Sequence, residues 1–418
     1  MTGPSIEEVI LGMQYASMSI TDDKPDTLKN VGKLNPWHIE ALAMITGSEE
    51  EPFLPLSTLL HQHFGLTVDT MIDESRINKG GHFIDTQGYI AHSDDKIVVA
   101  FRCTTSAYDW LTNFDTTSSE WELEEDAELG FSGYCSSMEG LSCCQCIFGK
   151  SQHKPRVHTG CYNNILATLP VLEKYVNPLL GPDQPPRTLY VVGHSLGAGI
   201  ANLAGMYFLF EHDWSALPQR LLTITAGSPR VCQVAMKEVV EKELAKYGPD
   251  NASILRIVRN KDIVPTVPPS WLGFRHIGKL VYISQDDELQ MDGKANNSRA
   301  LGNNHDDDDD DDDGAEPTKP DENLAKTRSL VQAASRAVLE DDSDDDDDDD
   351  DDSAEKKPKD KSREAKYFRM IRKIPLALRD HMPDSYMRPM KSVREALFPA
   401  HHLVGDGVKM EMVQEQDE

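Results

Sequence analysis

The sequence predicts an α/β fold, a mostly parallel central sheet flanked by helices, and three observations carry that prediction. Between residues 80 and 284, short β-branched runs alternate with longer stretches of helical character. Each run is nearly all apolar, as strands buried on both faces must be. At one strand-to-helix junction stands GHSLG, a serine with a glycine two residues to either side.

The runs, in order, are KIVVAF (96–101), TLYVVG (188–193), LLTITA (221–226), SILRIV (253–258) and KLVYIS (279–284). The second leads through Gly193, His194, Ser195, Leu196 and Gly197 into a helix whose first turns are small residues. Strand before and helix after is the context a nucleophile elbow requires. A serine on so sharp a turn projects its hydroxyl above the sheet edge, and glycine on both sides lets strand and helix approach closely. The same turn aims the backbone N–H of Leu196, at the positive end of the helix, toward a developing oxyanion.

The chain has 418 residues and a formal charge of −29. Residues 285–355 hold 28 acidic against 6 basic residues, a local −22, so the rest of the chain carries only −7. Without a basic excess the folded part does not suit nucleic acid. Two aspartate tracts, Asp306 to Asp313 and Asp344 to Asp352, bracket the segment LAKTRSLVQAASRAVLE. Such like-charge blocks repel and bury too little apolar surface to fold, so residues 285–365 read as a disordered Asp-rich insert of unknown partner. That divides the chain into a core over 1–284, the insert, and a returning part over 366–418. Lysines and arginines cluster just after the tracts, from Lys356 to Lys373. They are placed to fold back on the aspartates or to make peripheral contact with anionic membrane.

The first residues lack a basic n-region, an apolar h-region and a cleavage site, and no run is long enough to span a membrane. A cytoplasmic location is the default expectation. Seven cysteines, an odd number, argue against a full disulfide framework. Cys143, Cys144 and Cys146 lack the paired CxxC spacing of a zinc site, so no metal is expected.

With its elbow in the form GHSLGAG, the sequence resembles the class 3, or fungal-type, lipase family of the α/β-hydrolase superfamily. Four further stretches agree in order. VVAFRCTTSAYDWLTNF (98–114) is similar to the family's strand and oxyanion loop, and VHTGCY (157–162) to the HxGF segment that precedes the helix before the elbow. AGSPRV (226–231) and RNKDIVPTVPP (259–269) resemble the GSPRV stretch and the acid-bearing segment. The resemblance implies a serine-dependent carboxylic ester hydrolase acting on acylglycerol lipids at an interface, with no cofactor.

A serine hydroxyl needs a histidine to take its proton and a carboxylate to orient that histidine, and in this fold the chain order is Ser, acid, His. The resemblance carries the acid role onto Asp262, directly after SILRIVRN at a strand's C-terminal end. His276, His305, His381, His401 and His402 all follow. RDHMPDSYM resembles the family's late DHxxxxY segment and points to His381, with His276 and then the His401 and His402 pair as alternatives. If His381 is the base, the insert interrupts the loop between the last strand and the histidine. A long surface insertion adds roughly 0.6 kcal/mol of closure entropy per doubling of length.

By resemblance the second oxyanion donor is Thr104, beside the N–H of Leu196, with Asp109 and Trp110 shaping the loop from behind. Residues 117–156 stand where the family carries its lid and mix acids with apolar side chains, which suits a flap or an ordinary loop. Cys103 and Cys232 stand where the family usually has glycine. Cys103 adjoins the oxyanion donor, so a catalytically weak scaffold whose acidic insert binds basic partners or calcium is one rival reading. An esterase of soluble substrates is the other.

Overall fold

The five apolar runs pair as neighbouring parallel strands. In the computed structural model the described residues are 3–21, 36–48, 54–77, 83–103, 117–121, 154–290 and 379–397. Strands β1 (Thr67–Ile77) and β2 (Phe83–His92) form an antiparallel hairpin onto β3 (Lys96–Phe101). From β3 the sheet continues in parallel through β6 (Thr188–His194), β7 (Arg220–Ala226), β9 (Ala252–Arg259) and β11 (Lys279–Ile283). The antiparallel β12 (Leu289–Gln290) closes the eight-stranded edge. A small second sheet holds β10 (Phe274–Arg275), β8 (Cys232–Gln233), β5 (Arg156–His158) and β4 (Ser118–Glu120), in that order.

Side chains of a strand point alternately to the two faces, and both faces of this sheet are covered. Ile97, Val99, Leu189 and Val191 enter one apolar core, and Val98, Ala100, Tyr190 and Val192 enter the other. The first core lies under helices α4 (Thr159–Tyr175), α5 (Leu196–Glu211) and α6 (Val234–Tyr247). The second lies under α1 (Ile6–Met18), α2 (Pro36–Thr46), α3 (Leu56–Phe64) and the late α7 (Pro383–Leu397). This is the α/β-hydrolase arrangement, and the expected mostly parallel sheet is the one observed.

Helix α1 starts at a capping box, with the Ser5 side chain accepting from the Glu8 amide and the Glu8 carboxylate accepting from the Ser5 amide. Helix α5 is buried along almost its whole length and approaches the sheet at its glycines; a Cβ at Gly205 would fall 2.2 Å from Thr223 Oγ1. Among the described residues no helix is long and apolar enough to cross a membrane.

Residues 285–290, which the sequence places at the start of the insert, instead finish the sheet. Asp287 pairs with Arg259 at 2.6 Å, so its charge is compensated locally. The aspartate tracts, most of the region of residues 117–156, Cys143, Cys144, Cys146, Thr104, Asp109 and Trp110 lie outside the described residues, as do His305, His401 and His402.

Candidate active site

The elbow follows from what its backbone must do. Ser195 sits at φ 59° and ψ −125°, a left-handed conformation that a non-glycine residue adopts at a cost of order 1–3 kcal/mol. Its amide donates to the carbonyl of Ala226 on β7 at 3.0 Å, and its carbonyl accepts from Ala198 and Gly199 in the first turn of α5. The flanking glycines are sterically required. A Cβ at Gly193 would lie 2.3 Å from the Gly197 carbonyl oxygen, and one at Gly197 would lie 2.4 Å from the Phe101 carbonyl oxygen. Leu196 opens α5, where a helix leaves its first amides without intrahelical acceptors.

Three of the residues singled out in the sequence meet here. His381 Nε2 lies 2.8 Å from Ser195 Oγ, and His381 Nδ1 lies 3.0 and 2.9 Å from the two oxygens of Asp262. All three side chains are essentially buried. Asp262 follows β9 shortly before the 3-10 turn Val264–Thr266, one of its oxygens accepting the Val264 amide at 2.9 Å. The Tyr386 hydroxyl donates to the other oxygen at 2.5 Å and accepts the Arg259 amide at 3.2 Å. Burial and the adjacent carboxylate raise Tyr386 well above the ordinary phenol range, so it keeps the proton it donates. Gly227, at φ 55°, makes room for the pair: a Cβ there would fall 2.8 to 2.9 Å from Asp262 Oδ2 and the His381 ring.

The segment that brings His381 back is fastened beside the acid. Asp380 Oδ2 accepts from Asn260 Nδ2 at 2.9 Å and from the Lys261 amide at 3.2 Å, and Oδ1 stands 3.7 Å from Arg259 Nε. Burial raises the Asp380 carboxyl, and these donors oppose that rise. Helix α7 then packs Tyr386, Met387 and Met390 into the second core.

His276, the nearest alternative in sequence, is not brought to Ser195. Its Nε2 donates to the Pro265 carbonyl at 2.8 Å, and burial together with Arg256 holds its proton affinity well below the ordinary imidazole range. Cys103 is partly buried, its Sγ 3.5 Å from His38 Nε2, and burial pushes its thiol up to about 11. Cys232 lies in the first core, with Sγ 3.5 Å from Met206 Sδ. Sequence reasoning missed Tyr386 and Gly227 as partners of the acid. The tyrosine stood in the DHxxxxY string and the glycine in GSPRV, but neither string says that they reach Asp262.

The model of the class 3 lipase family matches residues 98–271, from β3 through the turn after Asp262. Over that segment, which is less than half of its length, the chain is similar to the family. Lipase from Rhizopus niveus is 28% identical over 196 residues, which is 46% of this chain and 41% of that protein. Secreted mono- and diacylglycerol lipase 2 of Gibberella zeae is 26% identical over 231 residues, 50% of this chain and 52% of that protein. The chain thus spans about half the length of the curated relatives it matches. The solved mono- and diacylglycerol lipase from Aspergillus oryzae aligns at a TM-score of 0.44 and 20% identity, covering 72% of this chain and 93% of that one. The matched segment holds Ser195 and Asp262, and His381 lies beyond its end.

Proposed function

We propose that this chain is a serine-dependent carboxylic ester hydrolase acting on acylglycerol lipids. The observation that carries the reading is the buried line from Ser195 Oγ through the His381 ring to Asp262, with contacts of 2.8 and 2.9 Å. His381 Nε2 takes the hydroxyl proton as Ser195 Oγ attacks the acyl carbonyl, and Asp262 steadies the imidazolium that forms. The amide of Leu196, with that of Thr104, holds the oxyanion. Collapse of the intermediate returns the proton from His381 to the leaving alcohol, forming an acyl-enzyme. Water, deprotonated by His381, then releases the fatty acid and regenerates Ser195. The names of the relatives support acylglycerols as the substrate class.

The test is hydrolysis of a medium-chain p-nitrophenyl ester by the wild type, Ser195→Ala and His381→Ala, each checked for folding by circular dichroism. Both variants are expected to lose at least roughly 10⁴-fold in kcat. A folded wild type that neither hydrolyses the ester nor reacts with a fluorophosphonate overturns the reading.

A further inference from the structure

Beside the candidate triad lies a second histidine that the chemistry above does not use. His194 immediately precedes Ser195 and is 5% exposed. Its Nε2 donates to the backbone carbonyl of His381 at 2.8 Å, and its ring stacks on the His381 ring at 4.8 Å between centroids and 27° between planes. One side chain therefore touches both the main chain and the ring of the proposed base. On its other side His194 lines a small cavity with Ser17, His38 and Cys103, and its Nδ1 is buried without a hydrogen-bond partner.

We propose that His194 is a positioning residue, which fixes His381 against Ser195 through the hydrogen bond to the His381 carbonyl and the ring stack. The inference rests on the hydrolase reading above. Its physical content concerns a remaining degree of freedom. The contacts of His381 to Asp262 and Ser195 run roughly along the length of the imidazole and leave the ring free to tilt about that line. A planar neighbour against one face removes the tilt, and a donor on the carbonyl fixes where the residue's main chain stands. The anchor matters because His381 is 186 residues from Ser195 in sequence, whereas His194 is rigidly tied to it by the elbow.

Neutrality is part of the fit. A histidine donating from Nε2 carries its proton there, and burial and the adjacent His381 keep His194 well below the ordinary imidazole range. A second positive ring stacked at this distance would oppose the imidazolium that the reaction forms on His381.

The experiment compares wild type, His194→Ala, His194→Gln, which retains a donor near the Nε2 position, and His194→Phe, which retains the stack alone. Steady-state kinetics use the same p-nitrophenyl ester, and His194→Ala is also combined with His381→Ala. His194→Ala is expected to lower kcat by about 10²-fold, the cost of misplacing a catalytic group by about 1 Å, with KM nearly unchanged. His194→Gln recovers at least a tenfold share of that loss and His194→Phe less. In the His381→Ala background His194→Ala costs nothing further, because the group it positions is gone.

A folded His194→Ala with wild-type kcat overturns the positioning role alone. So do additive losses in the double variant, or a Gln variant no better than Phe; the latter comparison decides the matter if His194→Ala does not fold. A wild type inert to both ester and fluorophosphonate overturns the hydrolase reading and this inference with it.

Discussion

The proposed nucleophile and its proposed base are held by two different kinds of structure. Ser195 is fixed by residues within a few positions of it: a buried strand, a backbone at φ 59°, and two glycines whose replacement would drive a Cβ into a carbonyl oxygen. His381 is fixed by side chains far from it in sequence, among them Asp262, Asn260 and Arg259, and by a helix packed against the N-terminal helices. The first kind of precision is stored in backbone geometry and the second in buried hydrogen bonds. They should fail differently.

The largest expected effect strikes the returning side. Asp262→Asn keeps the shape but favours the wrong tautomer of His381, and kcat should fall by roughly 10³ to 10⁴ with circular dichroism unchanged. Unfolding of the variant instead would mean that the carboxylate, with its tyrosine and amide partners, holds the fold as well as the histidine.

The elbow should break by the other route. Gly197→Ala places a Cβ 2.4 Å from the Phe101 carbonyl, with no flexible side chain to yield. Stability should fall by about 3 kcal/mol or more in urea titration, and activity should fall with it. A variant of full stability but low kcat would mean that the strand and helix can separate without unfolding.

A third measurement probes what both regions share. Burial lowers the proton affinity of His194, His276 and His38, the last to about 3. Above the unfolded imidazole value of about 6.5 these rings are neutral in both states and cost nothing. As pH falls below it the unfolded chain binds protons that the native chain refuses, so stability drops until the folded values are reached. Each histidine contributes up to about 1.4 kcal/mol per pH unit in that window. Urea midpoints between pH 7 and 5 should fall steadily, and a flat profile would mean that one or more of these rings is charged in the native state.

The smallest effect is expected at Cys103, which touches His38 rather than the triad. Cys103→Ala should keep kcat within a few-fold and cost about 1 kcal/mol, the loss of a sulfur from a partly buried site. A large gain in kcat would show that the thiol crowds the oxyanion loop.

Much of this was legible in the sequence where order is local. All five apolar runs are strands, because a strand buried on both faces is nearly all apolar. The hairpin of β1 and β2 was less legible, since TVDTMIDESRI mixes acids with apolar residues along an edge that faces solvent in part. His276 and His381 could not be separated by chain order alone. Their difference is tertiary: one ring is spent on the Pro265 carbonyl and the other reaches Ser195. Tyr386 escaped notice for the same reason, because a hydroxyl five residues after a histidine meets the carboxylate 124 residues before it only once α7 is packed.

Helix α7 gives the molecule a boundary that similarity to its relatives does not draw. The matched segment begins at residue 98, yet α7 rests on α1 and α2, within the first 46 residues. The N-terminal helices supply no reacting atom, but they are the floor under the residue proposed to move the proton. As a unit of inheritance the family segment ends near residue 271; as a working part it reaches both outward to the opening helices and forward to the last one. Deleting the first helix should therefore silence the chemistry through the face of the sheet that α1 shares with α7.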